Sequence, residues 1–452
     1  MHSIQRWIQK NLERIQRDYF TFLRFKTVGA DPSCRSEMIA CASWLKDYFA
    51  QGGFSSRLIE TTGHPLVWAE HLEAGPNAHT LCIYGHYDVQ PVDPLDLWLS
   101  DPFEPEVREG QVYARGALDD KGQIFFAILA ALAFKEMGEK LSINLKFCIE
   151  GEEESGSEGL SDALAHLKPL LQADSLLIPD FGLPSRDQPA MTLGARGIVT
   201  MEVTLKGSHG DLHSGFYGGV AYNPNRALAY MLSKLWDESG HVQVPGFYDD
   251  VDVLSEKEKR DLSFSMTGRD YAEKFGIRAF GGEKGCSLME ANWLRPTLEI
   301  NGMSGGYSGP GFKTVIPAMA SAKLSCRLVL SQDPKKIGEQ VGSFLTSLAP
   351  AGMDVNIRVL SAEPAFRGSG DSRLARAVEG AYTDEMQKPC QKILAGGSIP
   401  IIAKFQEMGL RDVVGMGYGL PGDQIHAPNE HFDMDRLSQG IITVALAMQR
   451  LG

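Results

Sequence analysis

The chain has 452 residues, 43% of them hydrophobic and 22% charged, with a formal net charge of -13. That length exceeds what one hydrophobic core ordinarily serves, so two domains are expected. The acidic balance offers no field for phosphate backbones or anionic lipid, which argues against nucleic-acid and membrane-surface partners and leaves carboxylates available for cations.

In chain order, the first element is an N-terminal helix. Ile4, Trp7, Ile8, Leu12 and Ile15 recur at helical spacing within a charged segment that has no leader-type apolar region or cleavage site. No apolar run approaches the length of a membrane span. The seven cysteines are odd in number and none is paired at C-x-x-C spacing. They read as free, buried thiols in a reducing compartment, and the cytoplasm is the expected location.

Apolar runs of strand length follow at His79–Tyr84, Ile143–Ile149, Ser175–Ile178, Ile198–Leu205 and Ala322–Leu330. Helical patterns at Gln123–Met137 and Leu160–Leu171 alternate with the first three, which predicts an α/β layer architecture. From about residue 197 to about 360 the pattern changes. Strand-like runs, helix candidates at Pro224–Glu238 and Pro334–Leu348, and a polar middle at Asp249–Arg269 suggest a second, α+β domain. Gly417, Gly419 and Gly422 match a dinucleotide-binding spacing, but Pro421 interrupts it and a loop follows, so no nucleotide site is expected.

Several strand-like runs end in residues that carry chemistry. After Gly85 come His86 and Asp88, two positions apart and so on one side of an extended chain. A carboxylate beside an imidazole orients it for a metal, although His-x-Asp alone reads first as a core histidine beside a surface acid. Asp119 and Asp120 precede an apolar helical run; a helix N-cap accounts for one of them and leaves the other without a reason. Ile143–Ile149 runs into Glu150, Glu152, Glu153 and Glu154. Such crowded carboxylates repel one another unless a cation relieves them, and one left unligated can serve as a base. Ser175–Ile178 ends at Asp180, and a late loop presents His426. Sites in open α/β sheets form outside the carboxyl ends of strands, and His plus carboxylate donors without cysteine suit Zn2+, with Mn2+ or Co2+ also compatible.

The motifs GHYDVQP (85–91), RGALDDKG (115–122), EGEEESGSEG (150–159), DLHSGFYGG (211–219), KTVIP (313–317), GGSIP (396–400) and HAPNE (426–430), with the Asp180 strand end, are together specific. On them the chain resembles the M20 metallopeptidase family, and most of all its carnosinase-type cytosolic dipeptidase branch. The resemblance implies a zinc-peptidase-like α/β catalytic domain with a mixed sheet between helices, formed by 1–196 and 361–452. Between the two parts it implies an inserted α+β lid and dimerisation domain, 197–360.

The resemblance further implies two divalent metal ions per subunit, with zinc the expected metal. His86 and Asp180 would hold one ion and Glu154 and His426 the other, with Asp119 bridging. A cis peptide bond between Asp119 and Asp120 is expected. Asp88 would orient His86, and Glu153 would be the general base toward a water shared by the two metals. His213 would polarise the scissile carbonyl in the partner subunit's site. Arg327, Gly397 and Ser398 would hold the substrate carboxylate, and Thr314 and Asn223 would contact substrate from the lid. Read from their surroundings alone, His213 is equally a turn histidine, Arg327 a surface arginine and Ser398 a helix cap. His209 and His431 take no role beyond structure.

The expected activity is amide hydrolysis of dipeptides or similar small peptides with a free C-terminal carboxylate, by a homodimer. The rivals are an N-acyl amino-acid deacylase or amidohydrolase of the same family, and a non-catalytic scaffold. All the donors and the base are present, which argues against the scaffold.

Overall fold

The computed structural model describes residues 2–253, 262, 266–397 and 399–452. Ser398 and much of the polar stretch 249–269 therefore lie outside the described residues.

A nine-stranded mixed sheet organises the larger part of the molecule. Its centre is a block of four parallel neighbours, in the order Asn144–Glu150, Thr80–His86, Ser175–Ile178 and Asp412–Gly415. Antiparallel strands extend it on both sides, among them Leu66–His71 and Ala190–Ala195. Alternation along each strand feeds two cores. Leu81 and Ile83 join one cluster with the helices His2–Arg24, Lys121–Met137 and Met434–Leu451. Cys82 and Tyr84 face the other way, toward the helices Glu158–Leu167 and Pro400–Glu407.

Helix Lys121–Met137 is buried at every residue from Lys121 to Phe134. A helix enclosed on all sides has no polar face to lose, which explains its uninterrupted apolar sequence. The N-terminal helix buries Ile4, Trp7, Ile8, Ile15, Tyr19, Phe22 and Leu23. Leu12, expected on the same stripe, is instead 46% exposed. All seven cysteines are free and five of them are buried.

The second sheet is fully antiparallel, ordered Thr297–Gly305, Met319–Leu328, Gly197–Lys206 and Asp354–Glu363. Val199, Met201, Val203 and Leu205 alternate inward against the helices Pro224–Leu232 and Pro334–Leu348. This gives a one-sided core, so the other face of the sheet carries polar residues. The helix expected to run to Glu238 ends at Leu232. Asp237 there accepts hydrogen bonds from the N–H groups of Ser239 and His241, and this turn turns the chain back before a further helical turn can form.

Candidate metal centre

The four parallel strands all deliver their carboxyl ends to one side of the sheet, and the candidate donors hang from them. His86 is the last residue of its strand and is fully buried. Glu153 and Glu154 form the turn beyond Asn144–Glu150. Asp180 follows Ser175–Ile178 by two residues. His426 lies in the loop beyond Asp412–Gly415, and Asp119 stands two residues before helix Lys121–Met137.

Two triads result. His86, Asp119 and Asp180 form one, and Asp119, Glu154 and His426 the other, each with its donor atoms within 4.8 Å of one another. His86 Nε2 lies 3.3 Å from Asp119 Oδ1 and 3.9 Å from Asp180 Oδ2. His426 Nε2 lies 2.9 Å from Asp119 Oδ2 and 3.3 Å from Glu154 Oε2. Asp119 thus turns one carboxylate oxygen to each imidazole.

The surroundings hold these donors in place. His86 Nδ1 sits 3.1 Å from the Asp88 carbonyl and 3.3 Å from its Oδ1. An N–H on Nδ1 has two acceptors there, which would leave Nε2, facing the Asp119 and Asp180 carboxylates, as the nitrogen offered to a cation. The Asp88 carboxylate also accepts from the N–H groups of Glu153 and Glu154, at 3.2 and 3.0 Å. One side chain therefore ties the His86 strand to the glutamate turn. Asp120 occupies the helix N-cap position, yet its carboxylate does not cap the helix; Oδ2 accepts from the His86 N–H at 3.1 Å. A side chain at position 85 would meet that oxygen at 2.6 Å, which is why glycine precedes His86. The Asp119–Asp120 bond is cis, as the resemblance implies.

The donor set fits a divalent cation. His86 Nε2 is buried without a hydrogen-bond partner among the described residues, although carboxylate oxygens converge on it. Among protein groups alone the charges are ill matched. Burial pushes the Asp180 carboxyl well above the usual carboxylate range, and Asp120 and Asp119 add to the shift. Burial likewise raises Glu153 to about 8, reinforced by Glu154 and Asp119 against the pull of His86. Asp119 and then Glu154 raise His426 to about 10. Cations relieve such crowding of acceptors, and His with carboxylate oxygen is a donor set for zinc or its first-row neighbours.

Glu153 lies beside the triads, and no hydrogen bond or ion pair holds its carboxylate among the described residues. The remaining expected site residues sit elsewhere. His213 is exposed; it precedes the short helix Ser214–Tyr217, and its Nδ1 accepts from the Gly215 N–H at 3.0 Å. The Thr314 carbonyl accepts from the Ser214 N–H, and its residue is exposed. Asn223 caps helix Pro224–Leu232 through Asn225. His213, Thr314 and Asn223 make no hydrogen bond or ion pair with the triads among the described residues. Arg327 is half-buried on strand Met319–Leu328, and its charge adds to the burial that lowers the Arg196 pKa. Gly397 is exposed, in open space.

Two residues of this neighbourhood carried no expected role. Gln90 donates from Nε2 to Glu154 Oε2 at 2.8 Å, and Glu430 binds the segment leading to Asp119. Both lie inside the quoted motifs, which was their only signal. Gly417 and Gly419 also find a reason. A side chain at position 417 would meet the Phe181 carbonyl at 1.9 Å, so these glycines let the chain pack beside the segment that follows Asp180.

A mixed sheet that gathers His, Asp and Glu at its strand ends into two triads sharing one carboxylate defines a metallopeptidase-type centre. The chain belongs to peptidase family M20/M25/M40, which residues 82–450 match. It is 34% identical to the Beta-Ala-His dipeptidase of Homo sapiens over 373 residues, 81% of this chain and 73% of the relative. It is 30% identical to the Cys-Gly metallodipeptidase of Schizosaccharomyces pombe over 441 residues, 92% of this chain and 90% of that one. In structure it is similar to an M20 family metallo-carboxypeptidase from Sulfolobus solfataricus, with a TM-score of 0.87 and 31% identity, covering 97% of this chain and 99% of the other. No helix among the described residues is long and apolar enough to cross a membrane.

Proposed function

We propose that the chain is a dinuclear metallodipeptidase that cleaves small peptides ending in a free carboxylate. The observation that carries the reading is the pair of donor triads sharing Asp119, with the unrestrained Glu153 carboxylate beside them. His86 and Asp180 would hold one cation, Glu154 and His426 the other, and Asp119 both. When bound, the cations, with zinc the favoured metal, supply Lewis acidity to the scissile carbonyl and to the attacking water.

The chain's own residues do the rest. Glu153 takes the proton of the attacking water on its carboxylate and passes it to the leaving amine; a pKa raised toward neutrality suits both directions. Asp88 keeps the His86 imidazole oriented. Arg327, with the Gly397 and Ser398 loop, binds the terminal carboxylate and so fixes which amide bond is presented. Residues 197–360 act as the lid, with the last strand of their sheet running on to Glu363. His213, Thr314 and Asn223 act from the lid, His213 by donating to the developing oxyanion in a partner subunit.

A homodimer through the lid is supported by apolar side chains exposed there: Phe216 at 79%, Val220 at 82% and Phe312 at 90%. The free cysteines support a cytoplasmic setting.

The test is a panel of Xaa–Gly dipeptides, β-Ala-His, a tripeptide and N-acetyl amino acids, run with chelated and zinc-loaded protein. Zinc-dependent cleavage of dipeptides is expected. The tripeptide arm separates dipeptidase from carboxypeptidase action. Exclusive turnover of the N-acetyl substrates would replace this reading with a deacylase, and inactivity at full metal occupancy with a scaffold.

A further inference from the structure

We infer that Glu430 is a positioning residue of the metal centre, whose carboxylate locks the segment presenting Asp119 to the loop presenting His426. The inference rests on the two-triad reading above. Glu430 is fully buried. Its Oε1 accepts from the backbone N–H groups of Leu118 and Asp119, at 2.9 and 3.0 Å. Its Oε2 accepts from the Gly116 N–H at 3.0 Å and from Arg115 Nη1 at 2.8 Å. The Glu430 carbonyl accepts in turn from the Ala114 N–H at 3.2 Å.

Four donors meet one carboxylate, and one of them is the amide of the residue shared by both triads. Only an ionised carboxylate supplies acceptors for all four; an amide in its place would turn its NH2 toward N–H groups. Arg115 balances the charge and is itself held, by its Nη2 on the Pro91 carbonyl at 3.1 Å. It is 1% exposed.

The other end of the lock is the His426 loop. Gln424, His426 and Asn429 have φ of 59°, 60° and 64°, in the left-handed region that disfavours residues with side chains. A loop built this way keeps its shape only through bonds to the rest of the molecule. Asn429 makes two, accepting from the Leu99 N–H and donating to the Leu97 carbonyl, each at 2.9 Å. Glu430 makes the ones that reach the metal donors. Freed from Glu430, the Asp119 segment and the His426 loop lose their common backbone reference, and the triad containing His426 is left to the side-chain contacts of His426 Nε2 with Asp119 Oδ2 at 2.9 Å and Glu154 Oε2 at 3.3 Å. The other triad shares Asp119 but keeps its two remaining donors, His86 and Asp180, at the ends of paired strands of the large sheet.

The test titrates chelated full-length protein with Co2+, followed by visible absorption and calorimetry. The wild type is expected to bind two equivalents. In Glu430→Gln one equivalent should weaken by about 10–100-fold while the other stays within about threefold, and kcat should fall by about 10–100-fold with little change in KM. Glu430→Asp, which keeps the charge, should recover part of the loss. Wild-type affinity at both sites in Glu430→Gln would overturn the inference. So would loss of fold in both variants where the chelated wild type is folded, which would leave Glu430 a purely structural role. A wild type that binds no cobalt would instead bring down the two-metal reading, and this inference with it.

Discussion

The donors on the large sheet and the expected substrate contacts on the second sheet are built in opposite ways. His86 is fully buried, bonded through its ring to Asp88 and through its backbone to Asp120. Asp119 is fixed by Glu430. His213 is exposed, and among the described residues its ring makes one hydrogen bond, with the N–H two residues along. The first region is held by bonds between distant segments, so its geometry is complete within one fold. The second is tied to a distant segment through its backbone, where His213 pairs with Val315, and it leaves the His213 side chain exposed. Preorganisation belongs to the metal donors.

The harshest way to break the contrast is to remove the metal. Chelation should abolish turnover and lower the melting temperature, and added zinc should restore both, because a cation bound only by the folded state stabilises it. A melting temperature indifferent to chelator would show that the triads are not a metal centre. Next in size, Glu153→Gln should lower kcat by about 10²–10⁴-fold while retaining both equivalents of metal by elemental analysis. Near-normal turnover would assign the base elsewhere.

His213→Ala sharpens the comparison from the lid side. It should lower kcat by about 10²–10³-fold, with metal content unchanged and stability within about 0.5 kcal/mol, since the side chain is exposed. A fall in metal content would mean that His213 belongs to the first region after all.

The smallest effect concerns pH. Burial raises Glu150 to about 7 against the opposing hydrogen bonds of Tyr84 and Ser157, while the unfolded chain titrates near its ordinary 4.5. The folded protein therefore binds the extra proton between these values, and its stability falls as pH rises through that window. Urea unfolding from pH 5 to 7.5 should show a loss on the order of 2 kcal/mol that Glu150→Gln lacks. Equal pH dependence in the two proteins would refute it.

Much of the first region was legible in the sequence because strand-end chemistry is written locally. An apolar run followed by His86, Glu154 or Asp180 announces the strand, and only the recurrence of such ends, with the family motifs, points to the site. What escaped was whatever acts through the backbone of a distant segment. Glu430 reads as one more acid after a loop, and only the fold brings the amides of Gly116, Leu118 and Asp119 to it. Gln90 hid for the same reason. Gly85 is explained only once Asp120 is seen to lie where a side chain would be. Leu12 went wrong because helical spacing marks a stripe without saying how wide its cover is.

The order in which the donors occur along the polypeptide has a consequence for biosynthesis. His86, Asp119, Glu154 and Asp180 are all translated before the second sheet, whereas His426 follows it. The two triads sharing Asp119 can therefore close only after the second sheet has been made. A product truncated before residue 426 lacks both His426 and Glu430, and with them the second triad and the carboxylate that holds the Asp119 amide.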